Sequence, residues 1–299
     1  MVDELDPVLP SAVRLAESIG ARLHVVHVLA LPDLALVSGA PGLQGLSIDS
    51  AYVTDRARAI EQELRAQCVR FAAAPEELSF HTLAGSAHRE LAAYATRIGA
   101  DLLVIGATRH GPVWKNLIGT TAERVLREST VPVLVLHQPF YRPVQRVLLT
   151  TDLSELSGGI HDRGLDLVDA LFGKGALTVR SLLALGYYLP PAAAQSIEQA
   201  AALELDRFLA ERRPREVRVE GRVRGGEPAY EINVEAEAWG ADLIVLGTHG
   251  RTGVSRYLFG SVAAATLRDA TRNVLVIPAL AAAAIAAADD TAPELRCAG

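Results

Sequence analysis

Through the C-terminal half of the chain, short and continuously apolar runs alternate with stretches whose apolar residues recur every three or four positions. The runs at 146–151 (RVLLTT), 176–183 (ALTVRSLL), 217–223 (VRVEGRV), 242–247 (DLIVLG) and 273–278 (NVLVIP) read as strands. Between them LSGGIHDRGLDLVDALF, PPAAAQSIEQAAALELDRFLAERR, EPAYEINVEAEAWG and SVAAATLRDAT carry the helical period. Apolar strands separated by helices make a parallel sheet covered on both faces. The pattern therefore predicts an α/β fold, a doubly wound parallel sheet of five strands, with ligands gathering beyond the C-terminal strand ends.

The pattern occurs twice. Sliding the sequence by 141 positions sets GADLLVIG (99–106) on GADLIVLG (240–247), Gly119 on Gly260, Leu126-Arg127 on Leu267-Arg268, and VLV (133–135) on VLV (274–276). Upstream, Gly85 falls on Gly226 and Glu90 on Glu231. A repeat of this length is a domain rather than a solenoid unit. The expected division is 1–140, 141–279 and a tail at 280–299, with the joint near HQPFYRPVQ (137–145), where prolines interrupt the period.

Composition narrows the function classes. The 299 residues, half of them hydrophobic and 21% charged, suffice for two packed cores. A net charge of −6 without a long basic run argues against a nucleic-acid surface. Cys68 and Cys297, far apart and without ligand spacing, indicate neither a disulfide framework nor a zinc site and fit a reducing cytoplasm. The start, MVDELDP, lacks a signal-peptide pattern, and the longest apolar run (274–288) is broken by Pro278, so no membrane span is expected.

The chemistry concentrates after the fourth strand of the second copy, in GTHGRTGVSRYLFGS (247–261). Glycines let main-chain amides approach an anion, the following helix offers free N–H groups, and Ser261 can cap that helix and donate its hydroxyl, so phosphate is the natural guest. A flexible Gly-rich connection ending in an ordinary serine cap is the plainer reading, and a loose glycine cluster does not separate the two.

The spacing is more specific: Gly247, two residues, Gly250, nine residues, then Gly260-Ser261, preceded by GADLIVLG and, far upstream, by RVLLTTDLSELS. This arrangement resembles the nucleotide-binding signature of the universal stress protein family, and the resemblance extends over both copies. It implies two tandem doubly wound, Rossmann-like domains of the adenine nucleotide alpha hydrolase-like kind, binding ATP or a related adenine nucleotide, with Mg2+ able to accompany the phosphates. Residue by residue it implies Asp152 near the adenine with Thr150 beside it, and Leu182 offering backbone to the base. It further implies Gly247, His249 and Gly250 around ribose and phosphates, and Gly260, Ser261 and Val262 at the phosphate-binding helix start. Arg251 can add charge to the phosphates. Two residues keep plainer alternatives: Asp152 as part of the cap of the next helix, and His249 as a solvated loop histidine.

The resemblance also implies a cytoplasmic stress-response module whose nucleotide shifts conformation or association. Fifth-strand edges (VPVLVLH and RNVLVIP) can pair between copies or between chains, giving a pseudo-dimer or a homodimer, with a further protein partner unidentified. The alternatives are a slow ATPase or nucleotidyl-transfer enzyme, and a nucleotide-free dimerisation scaffold. Phosphoryl-transfer machinery is not evident, since the chain has only Lys115 and Lys174 and neither lies in the glycine loop.

The first copy departs from this pattern. Where the second reads GTHGRTG it reads GATRHGP, with Arg109 on Gly250 and Pro112 on Gly253; Gly111 compensates in part, and Gly119, Thr120 and Thr121 still make a helix start. Weak or absent nucleotide binding is expected there. Setting GARLHVVHVL (20–29) on GALTVRSLLA (175–184) leaves no apolar strand ahead of the first helix and no counterpart of Asp152, which suggests a truncated or misassigned start. His24 and His27 fall on opposite faces of a strand, arguing against a metal site. His81, His88, His110 and His161 look scattered. Residues 31–47 read as a lid or a plain excursion, and the tail as a short helix or disordered chain with Cys297 as an incidental thiol.

Overall fold

A computed structural model describes residues 8–29, 50–72, 77–107, 120–140, 143–173, 177–186, 191–212, 217–248 and 259–279. The expected lid at 31–47, the glycine-loop residues His249, Gly250 and Arg251, the departures at Arg109 and Pro112, and the tail at 280–299 lie outside the described residues. The chain divides into two compact units, Met1–Ala100 and Asp101–Gly299.

The N-terminal unit contains α1 (Val8–Ile19), β1 (Leu23–Leu29), α2 (Ser50–Cys68), β2 (Leu78–Ala84) and α3 (Ala87–Arg97). β1 and β2 pair in parallel from Leu23↔Leu78 to Leu29↔Ala84, and among the described residues β1 pairs with β2 alone. One face of this ribbon packs Val25, Leu78 and Phe80 against Val13 of α1 and Cys68 of α2. The thiol of Cys68 is buried, and that burial raises its pKa.

The second unit is built on one seven-stranded sheet, order β3-β4-β9-β8-β5-β6-β7. Its strands are β3 (Leu103–Gly106), β4 (Val133–Leu136), β5 (Arg146–Thr151), β6 (Thr178–Leu185), β7 (Arg218–Gly225), β8 (Leu243–Gly247) and β9 (Asn273–Ile277). The helices are α4 (Thr120–Glu128), α5 (Ser157–Phe172), α6 (Pro191–Ala210), α7 (Pro228–Trp239) and α8 (Ser261–Asp269). Burial explains the order. β9 is buried throughout and β8 nearly so, and both lie inside the sheet; β7, reading RVEGRVRG, is half-exposed and forms an outer edge.

Two strands of the first repeat, β3 and β4, thus share a sheet with the second repeat. The join is antiparallel, Val133↔Val276 to Val135↔Val274, while every other pairing in the sheet is parallel. Both fifth-strand edges are used within the chain, so a homodimer would have to form through another surface. Asn273, 1% exposed, seals the seam: its Oδ1 accepts from the N–H of His137 at 2.9 Å and of Gln138 at 3.1 Å.

The sheet registers correct the alignment of the first repeat by one residue. Val26 lies opposite His81 and Leu182 opposite Arg222. Because the 141-residue repeat carries His81 to Arg222, Val26 matches Leu182 rather than Ser181.

Two outcomes follow at the seam. Asn273→Ala strands two backbone donors and should lower the stability of the second unit by about 2 kcal/mol in urea titrations; a loss below about 0.5 kcal/mol would show the seam independent of this side chain. His137 has its Nε2 buried without a partner, and burial pushes its pKa down to about 4. Its contribution is complete above the unfolded value of 6.5 and is lost as pH falls towards 4. Roughly 3 kcal/mol should disappear across that window, and His137→Gln should remove that part of the pH dependence.

Candidate functional site

In the second repeat the order β9-β8-β5-β6-β7 places β5 between β8 and β6, so the chain leaves the two neighbouring strands β5 and β8 towards opposite faces. Such a point, where the strand order reverses, opens a crevice at the C-terminal ends. Asp152 follows β5 and Gly247 closes β8, so two sequence-predicted residues face each other across this switch point.

Asp152 is held by its own loop. Its Oδ1 accepts from Ser154 N at 3.1 Å, from Ser154 Oγ at 2.7 Å and from Ser157 Oγ. Leu153 between them has φ 57°, the only positive value outside glycine among the described residues, and its N–H donates to Thr151 Oγ1 at 3.2 Å. That left-handed turn costs on the order of 1 kcal/mol or more. Its side chain packs with Leu183, Leu185 and Leu205, which holds the turn in place. At the start of α5 the carboxylate meets the Ser157 hydroxyl, while the N-cap position itself is Leu156 and carries no side-chain cap. The two serines were missed, although the spacing D-x-S-x-x-S carried the signal.

Thr150 is half-buried at the end of β5, opposite Leu182. Leu182 itself is fully buried, with Thr150 on one side and Arg222 on the other, so its main chain is committed to the ladder. The open backbone of β6 begins after Leu183, the last residue opposite β5.

On the β8 side the glycines have steric reasons. A Cβ on Gly247 would come within 2.7 Å of Ile160 Cδ1 and 3.1 Å of its Cγ2, so this glycine admits α5 against the strand end. Thr248, 4% exposed, is a clamp that the sequence reading missed. Its N–H donates to Ile277 O at 3.1 Å, its carbonyl accepts from Gly260 N at 2.7 Å, and its Oγ1 accepts from Ala279 N at 3.2 Å. Thr248 is thus tied to Gly260, and a Cβ on Gly260 would stand 3.0 Å from the Thr248 carbonyl oxygen.

Gly260, not Ser261, is the N-cap of α8, and no side chain caps it. Ser261 is instead the first helical residue. Ser261 and Val262 are exposed, and the first intrahelical bond runs from Ala264 N to Gly260 O, so the N–H groups of residues 261–263 precede the helix ladder. The positive end of the helix dipole lies with them. The structure thus brings Thr150, Asp152, Gly247, Gly260, Ser261 and Val262 to the strand-end side of one sheet. It removes Leu182 into the sheet interior.

Two histidines that looked scattered have partners. His161 is buried, shares a hydrogen bond of 3.2 Å with Ser181 and meets the Phe208 ring edge-on. His81 stacks on His24. Among the described residues no group of three His, Cys, Asp or Glu side chains could hold a metal, and no helix is long and apolar enough to cross a membrane.

The sequence model of the universal stress protein family matches residues 3–137 and again 143–278. The chain belongs to the universal stress protein family. Its two family domains stand in tandem. A universal stress protein of Mycolicibacterium smegmatis is 30% identical over 185 residues, covering 60% of this chain and 62% of the relative. One of Mycobacterium tuberculosis is 30% identical over 192 residues, covering 59% and 61%. The matched region is thus about three fifths of each relative's length. Among solved structures, a functionally unknown protein from Pseudomonas aeruginosa PAO1 superposes with a TM-score of 0.62 at 20% identity, covering 97% of this chain and 95% of its own. A universal stress protein from Archaeoglobus fulgidus gives 0.60 at 19% identity, covering 91% of each. These likenesses confirm the α/β fold.

Gly247→Ala should destabilise the second unit by about 1–3 kcal/mol through the clash with Ile160. Thermal unfolding of Gly247→Ala alone and combined with Ile160→Val checks the cause: the double variant should recover part of the loss, and strict additivity would place the strain elsewhere.

Proposed function

We propose that the second repeat of this universal stress protein binds an adenine nucleotide, ATP or a close relative, as a regulatory ligand. The observation that carries the reading is the pairing of Asp152 with the uncapped start of α8 across one switch-point crevice. A carboxylate only accepts hydrogen bonds at neutral pH and so selects a ligand that presents N–H or O–H donors, such as an adenine amino group or a ribose hydroxyl. The N–H groups of residues 261–263 with the helix dipole select an anion. A nucleotide carries both kinds of group. Gly247 and Gly260 bring the main chain close, Thr150 flanks the base, and His249, Gly250 and Arg251 are assigned to ribose and phosphates by their place in the signature. Leu182 is assigned at most a backing role, because its main chain lies within the ladder. Mg2+ would be held by the phosphates and water.

Binding of this kind acts by favouring one conformation or association state over another, with a protein partner as reader. The seam between β4 and β9 already joins strands of both repeats, so a nucleotide-dependent homodimer requires a different face. The first repeat is proposed as the non-binding copy, since Arg109 and Pro112 replace two glycines of the signature.

The test is isothermal titration with ATP, preceded by denaturing the purified protein and weighing any released nucleotide. Gly250→Arg, which makes the second repeat imitate the first, and Asp152→Asn should each weaken binding tenfold or more, at least about 1.4 kcal/mol. Unchanged affinity in both variants would overturn the reading. Turnover of ATP on the order of 1 s⁻¹ or faster would instead make the protein an enzyme.

A further inference from the structure

The same position in the two repeats carries two different clasps between a helix and the sheet. In the second unit, Arg180 of β6 reaches Glu235 of α7 at 2.6 Å and Glu220 of β7 at 2.7 Å. Arg224 of β7 reaches Glu235 at 2.9 Å and also binds Glu231, and Arg222 stands 3.9 Å from Glu235. Arg180 lies over the Trp239 ring at 4.3 Å. Glu235 is 3% exposed. Burial alone would raise its pKa, but hydrogen bonds from Arg180 and Arg224 and the charges of Arg180 and Arg222 hold it below the ordinary glutamate value. The clasp therefore remains charged through mild acid.

In the N-terminal unit the repeat and the sheet registers carry Arg180 to His24, Arg222 to His81 and Glu235 to Tyr94. These three side chains form a cluster of their own. The His24 and His81 rings stack with centroids 5.5 Å apart and planes 14° from parallel. The Tyr94 ring lies 6.1 Å from His24 and 5.2 Å from His81. The Tyr94 hydroxyl and His24 Nδ1 share a hydrogen bond at 3.1 Å, and Tyr94 is 8% exposed. Stacked imidazoles present faces rather than converging nitrogens, so the pair is not a metal ligand set.

Among the described residues, the charges that act on His24 are of one sign, while Glu61 of α2 accepts from the Thr82 N–H at 2.9 Å. Arg22, just before β1, and His81 both act on His24, lowering its pKa together with burial, the largest cause. From α3, Arg97 stacks on the Tyr94 ring at 5.0 Å. The carboxylate Glu90 of α3 is turned to Gly85, where a Cβ would meet its Oε1 at 2.9 Å. Glu77, ahead of β2, is exposed. His88, at the start of α3, bonds Ser86 Oγ at 3.0 Å in an exposed setting. His27 sits on the opposite face of β1, beside Arg56. Where the second unit sets Glu235 among arginines, the first sets a phenol that stays neutral, since burial raises the Tyr94 pKa.

We propose that His24, His81 and Tyr94 form an acid-sensitive clasp that fastens α3 to β1 and β2 at neutral pH and releases it when His24 takes up a proton. Neutral rings stack and share the phenol hydrogen bond. A charged His24 ring in the same geometry lies against the face of His81 with no described carboxylate bonded to it, and Arg22 repels it. The sign follows from His24: with its pKa lowered in the folded unit, stability is complete above 6.5 and falls as pH drops below that value. The duplicated fold thus holds one clasp indifferent to mild acid and one that responds to it. This inference is independent of nucleotide binding.

The test is hydrogen exchange on the full chain between pH 7.5 and 5.5, corrected for intrinsic rates, comparing wild type with His24→Gln/His81→Gln. In wild type, protection over 78–97 should fall by up to about tenfold per pH unit for each proton taken up, and in the variant, which keeps His27, the fall should be clearly smaller. His27, His88 and His137 are present in both proteins, so an equal response would assign the effect to them and overturn the proposal. A wild type without any response would do the same. Should the variant not fold, NMR titration of the wild-type His24 and His81 rings decides. The His24 midpoint must coincide with the loss of protection; its titration with protection intact overturns the clasp.

Discussion

The central place of β5, hydrogen-bonded to β8 on one edge and β6 on the other, is the constraint on which the candidate site depends. A strand so placed leaves its successor loop beside that of a strand whose helix packs on the other face, and the two loops must part. Asp152 and Gly247 are brought to one crevice by that topology rather than by any attraction between them. The Leu153 turn and the serine hydroxyls then aim the carboxylate, while Thr248 ties Gly260 to the end of β8. The crevice is thus built from the sheet outward.

The duplication has been used unevenly. β3 and β4 extend the sheet of the second repeat through an antiparallel seam of valines and leucines, closed by a buried asparagine that has no counterpart in the first copy, where the repeat places Pro132. Strands of matching sequence can therefore serve one repeat as its edge and the other as an extension. The paired clasps show the same divergence at a smaller scale. A buried ion network fixes register at a desolvation cost, whereas stacked neutral rings supply contact area without that cost and remain subject to protonation.

Much of this was legible in the chain. Continuous apolar runs marked β8 and β9 as strands, because burial on both faces leaves a distinctive composition, although β9 was expected at a sheet edge and lies inside; the 141-residue self-match marked the two tandem repeats. Asp152 and Gly260 both lie on the strand-end side of the sheet, where the doubly wound pattern places the loops that follow β5 and β8. The sharing of one sheet across the repeats was less legible: edge pairing is decided by which edges meet, and VLVL and NVLVI read alike as edge or interior. The role of Thr248 was hidden because its partners are main-chain groups of Gly260, Ile277 and Ala279, which no residue pattern marks. The histidine stack was hidden for a related reason. His24 and His81 lie diagonally across a parallel pair and 57 residues apart, and only the register brings them together.

The glycines call for a distinction that the signature alone does not make. Gly247 is explained by Ile160 and Gly260 by the Thr248 carbonyl, so both would be required whether or not a phosphate ever arrives. Their presence supports the fold first and the ligand second. Two features are left over by the glycines: a first turn of α8 with glycine at its N-cap and Ser261 and Val262 exposed, and a carboxylate ordered by three donors just past the end of β5. Glycine rather than serine at this N-cap gives up a few tenths of a kcal/mol, and the left-handed Leu153 turn beside Asp152 costs on the order of 1 kcal/mol. These two features, rather than the glycines, are what the proposed ligand has to account for.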